Sequence, residues 1–245
     1  MYSMRKGAGS VIQTGLRELD DLIGGFYPGE LVVIAARPGM GKTALGIQTA
    51  INASKCTGKK VVYFSLELSN EQLKKRIVKA DAAFNASTII ISDSPGASVA
   101  DMKILCCGMG DLGLVVIDYL QLLNRRQHDR DRPHKIAETS CGIKNMAREL
   151  NVPVVCVSQL SGALEKRENK RPSLRGMTHS DYGALVQDAD VIIGLYRESY
   201  YRDKCENPYT AEAIVLKNRY GEIGTVPLRF LPECVAFISA AQQSE

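Results

Sequence analysis

Residues 31–36 read Leu-Val-Val-Ile-Ala-Ala, a short run without polar alternation, which fits a strand covered on both faces. The same texture returns at Val61 to Leu66, Thr88 to Ser92, Leu114 to Leu120 and Val152 to Gln159, rich in β-branched residues. Between these runs, Lys42 to Lys55, Asn70 to Ala83, Val99 to Gly108 and His134 to Leu150 have the length and composition of helices. Strand and helix in strict alternation predict a parallel sheet with helices on both faces, an α/β doubly wound fold. After Gln159 the pattern changes. Ser161 to Tyr182 is polar, rich in Arg, Lys and Gly, and longer than an ordinary connection, so it reads as a functional loop. Strand-like stretches then follow at Val191 to Tyr196, Ala211 to Lys217, Thr225 to Phe230 and Val235 to Ser239, separated by turn signals such as Tyr220-Gly221 and Pro232. They predict an antiparallel C-terminal extension of the mostly parallel sheet. With 245 residues and no internal repeat, one large domain is expected.

The turn after the first strand carries the chemistry. Ala36-Arg37-Pro38-Gly39-Met40-Gly41-Lys42-Thr43-Ala44 lies between an apolar strand and a helix, where a phosphate-binding P-loop must lie. Such a loop wraps backbone N–H groups and the positive end of a helix around a polyphosphate, and Gly39 and Gly41 let the backbone approach without a Cβ in the way. Lys42 would reach the β and γ phosphates of ATP, and the Thr43 hydroxyl would ligate Mg2+. Ala36 stands where the general pattern opens with Gly. Two carboxylates end neighbouring strands. Asp118 closes Leu114-Val-Val-Ile-Asp118 and suits the acid that holds Mg2+, although apolar strands ending in Asp are common. Glu67 closes Val61-Val-Tyr-Phe-Ser-Leu-Glu67; it could polarise an attacking water, or simply precede a helix capped by Ser69.

Composition narrows the rest. Hydrophobic residues make 45% of the chain and charged residues 24%, values that exclude a disordered chain. No apolar run approaches the roughly 18 residues of a membrane span. The start, Met1-Tyr-Ser-Met-Arg-Lys-Gly7, is basic but lacks a following apolar stretch, so no secretory leader is expected and the chain reads as cytoplasmic. Seven cysteines, with Cys106 and Cys107 adjacent and no C-x-x-C pair, argue against zinc or a disulfide framework; Cys156 in its apolar run reads as a small buried hydrophobe. The net charge of +4 permits a polyanionic partner without requiring one. Local clustering is more informative: Lys166, Arg167, Lys170, Arg171 and Arg175 fall in the long loop, enough to follow a phosphate backbone. Glu165 and Glu168 offset part of that charge, and a solvated charged loop is the plainer alternative. Tyr182 is the one aromatic there, which favours sequence-independent contacts. A second basic loop holds Arg125, Arg126, Arg130 and Arg132.

Taken together, Phe64-Ser-Leu-Glu-Leu-Ser69, Ile117-Asp-Tyr-Leu-Gln-Leu122, Ala147-Arg-Glu-Leu-Asn-Val-Pro-Val154, Ser158-Gln-Leu-Ser161, Lys170-Arg-Pro172 and Gln187-Asp-Ala-Asp190 resemble successive motifs of the DnaB-type replicative DNA helicases. The likeness runs from about Thr14 to Phe230, and that family's P-loop usually opens with Ala. The resemblance implies a RecA-like P-loop NTPase core over 14–245, with 1–13 as a tail. It also implies a homo-hexameric ring that hydrolyses ATP with Mg2+ at subunit boundaries while drawing single-stranded DNA through its centre, 5′ to 3′, with primase or a helicase loader as partners. By motif, Lys42 and Thr43 bind phosphate and magnesium, Glu67 activates water, Asp118 holds magnesium and Gln159 senses the γ-phosphate. Lys217-Asn-Arg219 followed by Gly221 matches a Lys-x-Arg-x-Gly segment, so Arg219 would be a finger and Lys217 its companion, both acting on a neighbour's nucleotide. Without the resemblance, both would read as exposed cations at a strand end.

Four departures accompany the likeness. The family carries a helical N-terminal domain and linker ahead of its ATPase, and little precedes Thr14 here. The stretch from Ala80 to Ile89 is shorter than in the family. Gly162 stands where the family tends to have Arg, and Thr178-His-Ser-Asp-Tyr-Gly183 replaces its usual Leu-Arg-Glu-Ser-Gly. These departures bear on unwinding more than on nucleotide chemistry. A RecA-like ATPase that binds DNA without separating strands, as a recombinase or loader does, is the competing expectation.

Overall fold

The structure is a computed structural model and describes residues 10–118, 132–178, 183–201 and 207–241. In chain order its elements are α1 (Arg17–Ile23), β1 (Leu31–Ala36), α2 (Lys42–Thr57), β2 (Lys60–Ser65), α3 (Asn70–Ala80), β3 (Ile89–Ser92), α4 (Val99–Cys107), β4 (Leu112–Asp118), α5 (Arg132–Leu150), β5 (Val154–Gln159), α6 (Leu174–Thr178), α7 (Gly183–Asp188), β6 (Val191–Tyr196), β7 (Thr210–Asn218), β8 (Gly224–Leu231) and β9 (Ala236–Ser239). The strands form one sheet in the order β3-β2-β4-β5-β1-β6-β7-β8-β9. From β3 through β6 neighbours run parallel; β7, β8 and β9 are added antiparallel. The expected α/β doubly wound sheet with an antiparallel extension is therefore the observed one.

Every residue of β1 is buried, because the strand sits at mid-sheet with helices on both sides. Its side chains divide by period two. Val32, Ile34 and Ala36 join Tyr63, Val116 and Val155 under α2 and α3, which contribute Leu45, Ala50, Leu73 and Ile77. Leu31, Val33 and Ala35 join Phe64, Ile117 and Cys156 under α4, α5 and α7, which contribute Met102, Ile143, Met146 and Leu185. Burial on both faces explains why these strands read as unbroken apolar runs. The antiparallel strands show the other signature: β8 alternates between buried and more open positions.

Element boundaries differ from the sequence reading for local reasons. β5 begins at Val154, not Val152, because Pro153 has no N–H to give to the ladder; Val154 N donates to Glu30 O at 2.9 Å instead. α3 starts as expected behind Ser69, whose hydroxyl accepts from Gln72 N while the Gln72 side chain accepts from Ser69 N, a reciprocal cap. It stops at Ala80, short of Ala83. β4 starts at Leu112, and the expected continuation to Leu120 lies outside the described residues. The long polar loop contains a 3-10 turn at Gly162–Lys166, with Ser161 as its cap, and the short helix α6. α1, α6 and α7 carry no periodic signal in the sequence; at 7, 5 and 6 residues they are too short to display a helical period. α1 is nonetheless specified, since Asp20 on its second turn takes hydrogen bonds from the N–H groups of Thr14 and Gly15 and from the Thr14 hydroxyl.

Candidate functional site

Parallel strands share one C-terminal edge, and here the register aligns it. Ala36 at the end of β1 is level with Gln159 of β5, and Asp118 at the end of β4 is level with Ser65 of β2 and Val157 of β5. β5 is thus inserted between the P-loop strand and the strand of Asp118. The crevice outside this edge is where open α/β sheets bind ligands. Into it come the P-loop from β1, Glu67 from beyond β2, Asp118 from β4 and Gln159 from β5.

The P-loop adopts the backbone its glycines allow. Gly39 has φ +75° and Gly41 φ +96°, in the left-handed region. Gly41 also has no room for a side chain: a Cβ there would lie 2.6 Å from the Phe237 ring, and one at Gly39 would lie 2.9 Å from the Tyr200 ring. Met40 and Ala44 are buried beneath the loop, Pro38 is half-buried, and Lys42 and Thr43 are 7% and 8% exposed at the start of α2. The helix therefore presents its N-terminus, with its positive end, to whatever the loop holds.

Asp118 is 1% exposed. The Tyr63 hydroxyl donates to its Oδ2 at 3.0 Å, and Oδ1 is buried without a hydrogen-bond partner among the described residues. Burial raises its carboxyl above the usual range, against the lowering influence of the Thr43 and Tyr63 hydroxyls and of the Lys42 charge; the Glu67 charge adds to the rise. The same set acts on Lys42, whose ammonium is pushed down by burial and by Arg37 and supported by Asp118 and Glu67. Two carboxylates and a desolvated ammonium thus share one electrostatic neighbourhood. An orphaned, buried carboxylate oxygen beside a threonine hydroxyl, facing a phosphate cradle, fits a hard divalent cation with oxygen ligands such as Mg2+. Glu67 is exposed, two residues ahead of the cap Ser69 and outside the helix that follows.

Several residues beside the loop lie beyond the reach of the sequence reading. Arg197, just beyond β6, donates from Nη1 to Gly39 O at 3.3 Å and lies with its guanidinium 4.2 Å from the Phe230 ring centroid. Phe230 and Phe237 pack at 5.0 Å, and Gln48 of α2 clasps Phe237 through both backbone groups. The extension thus curls back over α2 and walls the P-loop with aromatic rings. Only Tyr63, a hydroxyl inside an apolar strand, gives a signal in the sequence that could find it; the wall depends on sheet curvature and long-range contact.

Arg219 and Lys217 lie at the other end of the molecule. Asn218 pairs with Val191, the first residue of β6, and Val191 pairs with Val32 near the start of β1. Arg219 is thus about 16 Å or more from its own P-loop, five strand steps of ~3.3 Å. Its side chain is 53% exposed; its Nη1 is 3.4 Å from Oδ1 of the buried Asp190, and its N–H donates to Asp190 O. Lys217 turns inward, and its Nζ donates to the carbonyls of Val186, Gln187 and Ala189 at 2.8, 3.1 and 2.6 Å, capping the C-terminal end of α7.

The five cations of the long segment also divide. Lys166, Arg167 and Arg175 are exposed. Arg171 forms a bidentate pair with Glu212, at 2.7 and 2.5 Å, and stacks on Tyr196. Lys170 donates to the carbonyls of Glu165 and Arg167. Of the second basic loop, Arg125, Arg126 and Arg130 lie outside the described residues, as does the Arg132 side chain. The six cysteines described are all free, and burial pushes the Cys106 thiol up to about 12.

A P-loop at the C-terminal edge of a mid-sheet strand, acids on the neighbouring strands and the inserted β5 define a RecA-like P-loop nucleotide-binding domain. The family described as the DnaB-like helicase C-terminal domain matches residues 11–89 and 80–239, and the chain belongs to it. The two matched segments overlap over 80–89, from the last residue of α3 to the first of β3. The chain is 37% identical over 264 residues to the replicative DNA helicase DnaC of Bacillus subtilis (strain 168), covering 96% of this chain and 58% of that protein. It is 36% identical to the replicative DNA helicase DnaB of Geobacillus stearothermophilus, covering 98% and 59%. It spans somewhat under three fifths of these relatives. Among solved structures, one described as an ATPase domain superposes with a TM-score of 0.85 at 33% identity, over 96% of this chain and 93% of that one. A DnaB-like replicative helicase, studied with primase, gives 0.84 at 34% over 95% and 62%. No helix among the described residues is long and apolar enough to cross a membrane.

Proposed function

We propose that residues 14–245 form the ATP-hydrolysing motor of a cytoplasmic replicative DNA helicase, acting within a homo-hexameric ring on single-stranded DNA, with primase or a loader as partner. The observation that carries this reading is the division of the machinery between opposite edges of one sheet. Phosphate-binding and acidic groups gather at the C-terminal edge, while Arg219 is exposed at the other, out of reach of its own nucleotide. Such a chain needs a neighbour to complete its site. The triphosphate of ATP lies in the Arg37–Ala44 loop, with Lys42 on its β and γ phosphates. Thr43 and Asp118 would hold Mg2+, which when bound would supply charge neutralisation on the phosphates. Glu67 orients and deprotonates the attacking water, and Gln159 contacts the γ-phosphate. Arg219 of the adjacent subunit neutralises charge as the phosphoryl group transfers. Lys217 supports it by fixing the strand end.

The phosphate backbone of DNA runs along Lys166, Arg167, Lys170, Arg171 and Arg175. Because Arg171 and Lys170 are each held by two or more contacts within the chain, and Arg167 by one bond from Nη1 to Ser173 Oγ, Lys166, Arg167 and Arg175 bear most of the contact. That engagement favours the second reading, hydrolysis on DNA without strand separation. Steady-state phosphate release with and without single-stranded DNA, followed by displacement of a tailed duplex, separates the two. DNA-stimulated hydrolysis with displacement supports the motor; stimulation without displacement supports the binder; hydrolysis indifferent to DNA at low salt rejects both.

A further inference from the structure

Arg37 belongs to the P-loop, yet its side chain leaves it. Nε and Nη2 donate to Glu165 Oε1 at 2.9 and 2.6 Å, and Nη1 donates to Leu160 O at 2.8 Å. Glu165 sits in the 3-10 turn Gly162–Lys166, between the γ-phosphate candidate Gln159 and the exposed cations Lys166 and Arg167. The turn is tied to those cations, since Lys170 Nζ bonds the carbonyls of both Glu165 and Arg167. We propose that the Arg37–Glu165 ion pair is the contact through which nucleotide occupancy of the P-loop and DNA binding to the basic segment are coupled, an inference that rests on reading the chain as a DNA-dependent ATPase.

Two features make the pair a two-state element. On the nucleotide side, Arg37 is near enough to Lys42 for its charge to lower that ammonium's proton affinity. A polyphosphate placed at Lys42, carrying several negative charges, competes with a single half-exposed carboxylate for the same guanidinium. On the other side, a displaced Glu165 has a donor waiting. The Tyr201 hydroxyl is buried without a hydrogen-bond partner among the described residues, and Lys170 lies over its ring at 5.6 Å; burial raises its phenol, with the Glu165 charge adding to the rise and that of Arg37 opposing it. Glu165 therefore has one position on Arg37 and a second on Tyr201, and the second moves the turn that bears Lys166 and Arg167. A ligand shifts such an equilibrium only through its differential affinity for the two arrangements, and the shift is reciprocal.

The test measures the affinity of the full chain for a labelled oligo-dT by anisotropy at fixed salt, with and without a non-hydrolysable ATP analogue and Mg2+. The wild-type affinities are expected to differ by about fivefold or more, in the range of ordinary allosteric coupling. Glu165→Gln brings the ratio to within about twofold of one, and the reciprocal ratio, analogue affinity with and without DNA, falls by the same factor. Tyr201→Phe, which removes the alternative partner, also lowers the ratio. Glu168→Gln removes the same charge from the same segment and keeps the wild-type ratio. An unchanged ratio in Glu165→Gln, or an equal loss in Glu168→Gln, overturns the coupling. A wild type that binds DNA equally with and without analogue also overturns it and leaves the functional reading standing, whereas a wild type that binds no oligo-dT overturns that reading as well.

Discussion

At the scale of single residues, the site stores an electrostatic tension that a bound cation would relieve. Asp118 is buried with one oxygen unpartnered among the described residues and its carboxyl held above the usual range, chiefly by desolvation. The folded chain accordingly holds that proton more tightly than the unfolded chain does. The carboxyl's contribution to stability is complete below its ordinary range and is lost as pH rises through the raised folded-state value, above which the buried carboxylate is destabilising. Asp118→Asn should therefore raise the unfolding midpoint of the nucleotide-free chain at neutral pH by ~2–4 °C, corresponding to about 1 kcal/mol in a chain of this size. The gain should fade on acidification, and Mg2+-dependent hydrolysis should be abolished. Thermal melts from pH 4 to 8 check this; a lower midpoint at pH 7.5 contradicts it. Lys42→Ala should lower hydrolysis by at least ~100-fold by removing the cation on the transferring phosphate, read as phosphate release at saturating ATP.

At the scale of elements, the same residue type does different work according to what it touches. Lys217 and Arg219 are neighbours on one strand end, but Lys217 caps α7 with three carbonyl contacts while Arg219 faces outward. Lys217→Met should lower the stability of the isolated chain by about 1–2 kcal/mol, in urea and without nucleotide, because three helix-end carbonyls lose their cation. Arg219→Ala should leave the urea midpoint nearly unchanged. The basic segment divides likewise. Removing Lys166, Arg167 and Arg175 together should reduce the slope of log affinity for single-stranded DNA against log salt by about 2, at ~0.7 per neutralised phosphate. Arg171→Ala should act mainly on stability, since its guanidinium is spent on Glu212 and Tyr196.

At the scale of the molecule, the sheet is about 16 Å deep along β1 and separates Arg219 from the P-loop by that depth, which under the proposed catalysis across a boundary makes them halves of one site. A chain with Lys42→Ala and a chain with Arg219→Ala should each be nearly inactive, yet mixing them should restore a fraction of hydrolysis. In a mixed ring some boundaries pair an intact P-loop with an intact finger. The recovered rate should rise with total protein concentration as subunits assemble. A mixture no more active than its components at any ratio would exclude catalysis across a boundary.

The sequence alone determined the parallel core and the phosphate loop. Strands buried on both faces must be continuous apolar runs, and a turn with glycines at 39 and 41 before Lys42 and Thr43 has the local geometry of its ligand written into four residues. Short-range signals also fixed the start of α3, through its reciprocal cap. Tertiary structure decided what no window of sequence contains. It set the inward turn of Lys217, the tie from Arg37 to Glu165 across 128 positions, the pairing of Tyr63 with Asp118 and the aromatic wall from Tyr200, Phe230 and Phe237 against the glycines. Each is a contact between residues far apart in the chain, and such contacts follow from strand order and register, which bring distant residues together only after the sheet has formed.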